Sequence, residues 1–311
     1  MAALSGPVDP GRLAAGLEAL RSLGFEPVPA ANLASRHREM LAGDDAERLA
    51  AFHQLVADPS IAAIFFARGG WGLPRLLPLL DWELLARHPR AYMGYSDLTP
   101  LLLGLVQRCG LVSFHGPMVA ADLARGLLGD ELASLLAALG EEPELSYPLE
   151  GCRGPGPEME PEPVEAPLLG GCLSLLAATA GTPFAPELAG SLLFLEDVGE
   201  PPYRLDRMLT QLRQTGQLAA IRGMIVGHLT ALGGRRTPAS SESGGLGPLL
   251  DVFGEHAAAL GIPFAWGLAA GHDAPNLTLP LGALARLDPA ALRLSCRFAA
   301  TVDGPHSGVS Q

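Results

Sequence analysis

Three short apolar runs constrain this chain more than anything else in it: residues 61–67 (IAAIFFA), 91–95 (AYMGY) and 111–115 (LVSFH). Hydrophobicity that is continuous rather than alternating marks strands buried on both faces, as in a parallel sheet. Helical spacing of apolar residues separates the runs. Leu13, Leu17, Leu20 and Leu23 line one face over residues 11–23, and Asp44-Asp45-Ala46-Glu47 opens a helix reaching about Val56. Residues 1–4 read as the tail of a strand and 25–29 as a short strand. Strand–helix–strand order at this spacing predicts a doubly wound, mostly parallel sheet with flanking helices.

In such sheets ligands bind beyond the C-terminal ends of the strands. Arg68-Gly69-Gly70-Trp71-Gly72, Tyr95-Ser96-Asp97 and His115-Gly116-Pro117 all fall at such ends, so they are expected to share one rim. Ser96 stands where a strand meets a helix that starts with Leu98-Thr99-Pro100. Asp97 or Ser96 can cap that helix, and Pro100 fits its first turn, where a missing N–H costs nothing. Backbone N–H groups at a helix N-terminus suit a nucleophile whose attack creates an oxyanion.

Residues 151–167 (GCRGPGPEMEPEPVEAP) are dense in Pro, Gly and Glu and have little to bury, which predicts a linker. It divides an N-terminal α/β domain, residues 1–150, from a smaller C-terminal α/β domain, residues 168–311, that is rich in short strands. In the second part, residues 191–195 read as a strand ending at Glu196-Asp197. A helix follows Pro201-Pro202, with Leu205, Met208, Leu209 and Leu212 on one face. Residues 223–227 and 264–268 are strands, 249–260 a helix, and 232–247 a polar, glycine-rich loop.

Composition removes several kinds of chemistry. Net charge is −12, which disfavours nucleic acid as a partner. All 21 basic residues are arginines, so Schiff-base chemistry, a Walker-type phosphate loop and a serine–lysine dyad are out of reach. The four cysteines are far apart and form no CxxC pair, so neither a zinc cluster nor a disulfide framework is expected. No G-x-G-x-x-G follows a strand, so a nucleotide cofactor is not expected. No apolar run reaches the length of a membrane span, and the first residues lack the basic start of a signal peptide, which points to the cytoplasm.

A serine nucleophile needs a base and a group that orients the base. His272, in the irregular segment Ala269-Ala270-Gly271-His272-Asp273-Ala274-Pro275-Asn276, is the strongest base candidate. His115 and His228 end strands and can also line the site. Glu196, Asp197 and Glu200 are candidate orienters. Adjacent strand residues face opposite ways, so Glu196 and Asp197 cannot both reach one site. Capping and pairing with Arg204 or Arg207 suit Asp197 and Glu200, which favours Glu196. The order Ser…Glu…His is that of α/β-hydrolases, but Gly94-Tyr95-Ser96-Asp97 lacks the second glycine of G-x-S-x-G.

These pieces together resemble the LD-carboxypeptidase family of serine peptidases, which includes the microcin C self-immunity peptidases. The segments that carry the likeness are SGPVDP, LAGDDAERLAAF, ARGGWGLPRLLPLLDW, MGYSDLTPLLLGL, FHGPM, LLGGCLSLLAATAGTPFAPELAG, LLFLEDVGEPPYRLDRMLTQLRQTG, GMIVGH and GLAAGHDAPNLTLPLGALARLD. The resemblance implies a triad of Ser96, Glu196 and His272, with the backbone N–H groups of Gly70 and Asp97 as the oxyanion hole. It implies no metal or cofactor, a cytoplasmic homodimer, and release of terminal D-alanine from murein tetrapeptides. With no lysine available, an arginine or a backbone N–H nest must hold the substrate carboxylate, and Arg68 is the candidate arginine; Trp71 and His115 are candidate pocket residues. Trp71 stands where a tyrosine is more usual, and Cys172 where asparagine is common. A microcin-immunity-type amidase acting on a peptidyl-nucleotide is the alternative enzyme, and a non-catalytic small-molecule binding protein the alternative of another class.

Overall fold

A computed structural model describes residues 1–140, 144–155, 160–230 and 247–298. In chain order the elements are α1 (Pro10–Ser22), α2 (Asp45–Ala57), β1 (Ala63–Phe65), α3 (Trp82–Arg87), β2 (Ala91–Gly94), α4 (Thr99–Cys109), β3 (Ser113–His115) and α5 (Gly129–Leu139). Then come β4 (Glu144–Pro148), β5 (Gly151–Arg153), β6 (Val164–Cys172), α6 (Leu173–Thr179), β7 (Leu192–Val198), α7 (Pro202–Gln214) and β8 (Gly223–Thr230). The last are α8 (Pro248–Leu260), β9 (Phe264–Trp266), β10 (Leu279–Leu281), β11 (Leu284–Asp288) and β12 (Arg293–Arg297).

The three apolar runs become β1, β2 and β3, paired parallel in that order, as continuous burial predicts. The fourth strand of this sheet is β10, antiparallel to β3, with Leu279 opposite His115 and Leu281 opposite Ser113. A second sheet has the order β4-β12-β11-β6-β7-β8-β9-β5, and its middle strands β6, β7, β8 and β9 are parallel. α7 buries Leu205, Leu209 and Leu212, the face expected from its spacing. Among the described residues no helix is long and apolar enough to cross a membrane.

Several sequence expectations change. Residues 25–29 form no strand. Pro27 and Pro29 have no N–H to give a ladder, and the segment is held instead by the Met1 ammonium on the Val28 carbonyl and the Ala30 N–H on the Met1 carbonyl. Residues 1–4 contribute one parallel bridge, Ala2 to Phe66. The span 151–167 is not a plain linker: β5 and the first residues of β6 lie in it, and β4, placed in the first domain by composition, is an edge strand of the second sheet. Proline and glutamate are tolerated there because β4 and β5 are the two edges of the sheet and the start of β6 is half solvated. The expected loop over 232–247 lies outside the described residues except for Gly247.

The two sheets meet at α4. The Thr99 hydroxyl donates to the Ser96 carbonyl at 2.8 Å and accepts the Cys172 N–H at 3.2 Å. Gly171, with φ +138°, lies against Thr99 so closely that a Cβ would stand 2.8 Å from its Cγ2. That contact needs glycine twice, for the conformation and for the space.

Candidate active site

Ser96 follows β2 and has φ +63°, in the left-handed region that residues with a side chain seldom occupy. The turn that results, a short 3-10 segment over Ser96–Leu98, pushes the start of α4 to Thr99. Neither Ser96 nor Asp97 therefore caps α4: its N-cap is Leu98, with no side-chain hydrogen bond, while Pro100 does occupy the first turn. Strain of this kind, about 1–3 kcal/mol, is typical of residues held for chemistry.

Across the domain junction lies His272, in the segment after β9. Its Nδ1 is 2.6 Å from Glu196 Oε2, and its Nε2 is 2.9 Å from Ser96 Oγ. A carboxylate can only accept, so Nδ1 carries the proton and Nε2 presents its lone pair to the Ser96 O–H. Glu196 is fully buried in β7, whereas Ser96 and His272 are half-buried and reach the surface. Burial disfavours charge on both members of the pair, but each favours the ionised form of the other. The outcome is a Glu196 pKa below the usual carboxylate range and a His272 pKa above the ordinary 6.5. Asp197 and Asp122 add to the rise at His272. The Tyr95 ring stands edge-on to His272, centroids 5.1 Å apart, and limits its rotation.

The glycine turn after β1 borders Ser96 directly. A Cβ at Gly69 would lie 2.8 Å from the Ser96 Cβ and 2.9 Å from its Oγ. Among the described residues the Gly70 N–H has no acceptor, and Gly70 has φ +116°. Asp97 is buried, and its carboxylate accepts the Leu73 N–H at 2.8 Å, tying the serine turn to the glycine turn.

The Asp197 carboxylate accepts the Ser174 N–H and the Val198 N–H, each at 2.8 Å, and burial raises its pKa to about 6. Glu200 pairs with Arg204 at 3.2 Å on the surface, as expected. Arg68 is exposed on the rim and donates to the Pro7 carbonyl at 3.2 Å. Trp71 is 53% exposed in the same turn. His115 corrects its expectation as a pocket residue. It is fully buried, edge to face with Phe194 and tilted against Tyr95, and burial lowers its pKa to about 4. It is a neutral core histidine beneath the site. His228 likewise serves structure, bonding the Pro275 carbonyl at 2.8 Å. Cys172 is a buried thiol 3.2 Å from the Ser174 hydroxyl.

Sequence reasoning missed three contributors. Gly69 was read only as part of a glycine turn; Gly271 has φ +129°, and a Cβ there would lie 2.8 Å from Glu196 Oε2; and Glu131, a buried carboxylate, accepts the Asn276 N–H at 2.7 Å. The glycines sit beside Arg68 and His272 in the sequence and could have been found by asking what lies next to a catalytic candidate. Glu131 gave no signal, since Gly129-Asp130-Glu131 reads as an ordinary helix start.

Residues 1–116 match the family model of the LD-carboxypeptidase N-terminal domain and residues 165–287 that of the LD-carboxypeptidase C-terminal domain. A probable murein peptide carboxypeptidase of Bacillus subtilis is 35% identical over 91% of this chain and 86% of its own length. The murein tetrapeptide carboxypeptidase of Pseudomonas aeruginosa is 38% identical over 81% of each. Among solved structures, the muramoyltetrapeptide carboxypeptidase of Oxalobacter formigenes superposes with a TM-score of 0.82 at 30% identity, covering 96% of this chain and 98% of that one.

Proposed function

The chain belongs to the LD-carboxypeptidase family of serine peptidases, and from that premise we propose that it releases the terminal D-alanine of murein tetrapeptides through an acyl-enzyme on Ser96. The observation that carries this reading is the unbroken relay from Glu196 through His272 to Ser96, at 2.6 and 2.9 Å. The names of the Pseudomonas and Oxalobacter relatives support the murein tetrapeptide as substrate.

The steps follow from the parts. His272 Nε2 takes the Ser96 proton as Oγ attacks the carbonyl of the penultimate residue, and Glu196 stabilises the imidazolium that forms. The N–H groups of Gly70 and Asp97 receive the oxyanion; one such donor is worth about 10²–10³-fold in rate. His272 then protonates the leaving D-amino acid nitrogen, and water, deprotonated by His272, clears the acyl-enzyme. Arg68, on the rim and permanently charged, pairs with the free carboxylate of the substrate. Trp71 covers the exposed side of the bound peptide. We place the enzyme in the cytoplasm as a homodimer, by likeness to the family.

The test is incubation of the protein and its Ser96→Ala variant with murein tetrapeptide and with a peptidyl-nucleotide analogue, read by mass spectrometry. Tetrapeptide shortened by one alanine, with activity at least about a thousandfold lower in the variant, is the expected result. Cleavage of the nucleotide conjugate alone would move the assignment to the immunity-type amidase, and an unchanged Ser96→Ala rate would overturn the triad.

A further inference from the structure

The segment that carries His272 belongs by sequence to the second sheet, yet it is fastened by the first domain. Glu131, in the first turn of α5, is fully buried and accepts the Asn276 N–H at 2.7 Å through one oxygen and the Leu128 N–H at 2.6 Å through the other. Both oxygens are also gripped by Arg125, at 3.0 Å for the Nη1 contact with Oε2. The Asn276 side chain continues the chain of contacts: its Oδ1 accepts the Gly271 N–H at 2.9 Å. Gly271 in turn lies against the Glu196 carboxylate and immediately precedes His272. Three residues beyond Glu131, the Ser134 hydroxyl accepts the Thr278 N–H at 3.0 Å. Arg125 also reaches back toward the serine side, 3.5 Å from Asp122, whose carboxylate accepts the Met118 N–H at 2.9 Å.

We propose that Glu131 is a positioning residue for the reaction, holding the Gly271–Asn276 loop so that His272 meets Glu196 and Ser96 in register. The proposal rests on the reading of His272 as general base. Its physical basis is the geometry of a planar carboxylate. Four donors converge on two oxygens, so Glu131 has one position, and Asn276 transmits that position over a single side chain to the residue before His272. Displacement of about 1 Å at a catalytic group can cost about 10²-fold, and a loop without regular secondary structure has no ladder of its own to resist it. Arg125 keeps the carboxylate ionised: burial raises the Glu131 pKa, but the Arg125 guanidinium and the N–H groups of Asn276 and Leu128 together hold it below the usual range.

A merely structural role predicts loss of stability alone; a positioning role predicts a change at His272. Burial lowers the His272 pKa while Glu196, Asp197 and Asp122 raise it; the Tyr95 ring and, behind it, the neutral His115 are the other titratable groups packed near it. A loosened loop weakens the Glu196 contact, and the His272 pKa falls toward its ordinary value. The experiment measures kcat and KM for murein tetrapeptide, and kcat/KM against pH, for the full chain and for Glu131→Gln, Glu131→Ala and Asn276→Ala, each per folded molecule after gel filtration. His272→Ala is the control for the base itself. Expected are a kcat about tenfold lower for Glu131→Gln and about a hundredfold lower for Glu131→Ala, with KM within twofold and the acid limb of the profile moved to lower pH. Asn276→Ala, which leaves Glu131 and Arg125 untouched, is expected to shift the same limb if Glu131→Ala does not fold. A parental kcat in Glu131→Gln or Asn276→Ala, or a lower kcat with an unmoved limb, overturns the positioning role while leaving His272 as base. A fully active His272→Ala overturns the base assignment instead.

Discussion

Ser96 holds a conformation that its own sequence does not advertise. Gly94-Tyr95-Ser96-Asp97 suggests a helix cap, but with φ +63° the serine turns outward and the cap is lost. Space for that turn comes from Gly69, and we expect Gly69→Ala to lower kcat at least about tenfold with a smaller effect on KM, since the added methyl displaces Oγ; kinetics on a soluble variant decide it. Glu196→Gln keeps the shape of the buried side chain but removes its charge and lets the wrong His272 nitrogen carry the proton. By analogy with other serine triads the expected loss in kcat is about 10⁴-fold. On the proposed role of His272 as base, the acid limb of activity follows from the direction of its shift: a base works when neutral, the His272 pKa lies above 6.5, and so kcat/KM is expected to rise with pH through a midpoint above that value. A midpoint at or below 6.5 contradicts the Glu196–His272 ion pair. The three residues of the relay were legible because each stands in an unusual local sequence at the end of an apolar run. Glu131 and the outward turn of Ser96 were not, because nothing in a helix start or a Ser-Asp pair records which distant backbone group it will meet.

At the scale of elements, the joint between α4 and β6 matters most. Gly170 and Gly171, φ +134° and +138°, let the end of β6 run against the backbone of Phe194 and the first turn of α4. Both lie near the C-terminal end of the nine-residue β6, just before α6 begins at Leu173. A Cβ on Gly170 would stand 1.8 Å from the Phe194 carbonyl oxygen, so relief requires the main chain to move. We expect Gly170→Ala to destabilise by about 3 kcal/mol or more, beyond ordinary overpacking, and to lower the melting temperature by several degrees; a parental melting curve would show that β6 can shift freely. Apolar continuity revealed β1, β2, β3 and β7, whose burial is nearly complete. It could not reveal β4, β5 or the start of β6, where solvated faces and proline imitate a linker and the pairing partners, β9, β11 and β12, lie more than a hundred residues away.

Viewed as a whole molecule, the two sheets exchange parts. β10 leaves the C-terminal half to complete the first sheet beside β3, and the Tyr147 hydroxyl, on β4, bonds the Thr278 carbonyl at 2.6 Å just before it. The relay crosses the same junction, with Ser96 on one side and Glu196 and His272 on the other. Alternating strands and helices made the α/β class readable, but this return of the chain has no local signature. Because each half holds structure that the other needs, we expect one cooperative unfolding transition in calorimetry, with the calorimetric and van't Hoff enthalpies equal; two resolved transitions would contradict the exchange. The late position of β10 also sets an order of events at the ribosome. Until the chain has been extended past Leu281 the first sheet lacks its fourth strand, and until His272 has been made, 176 residues after Ser96, the serine lacks the imidazole that faces it.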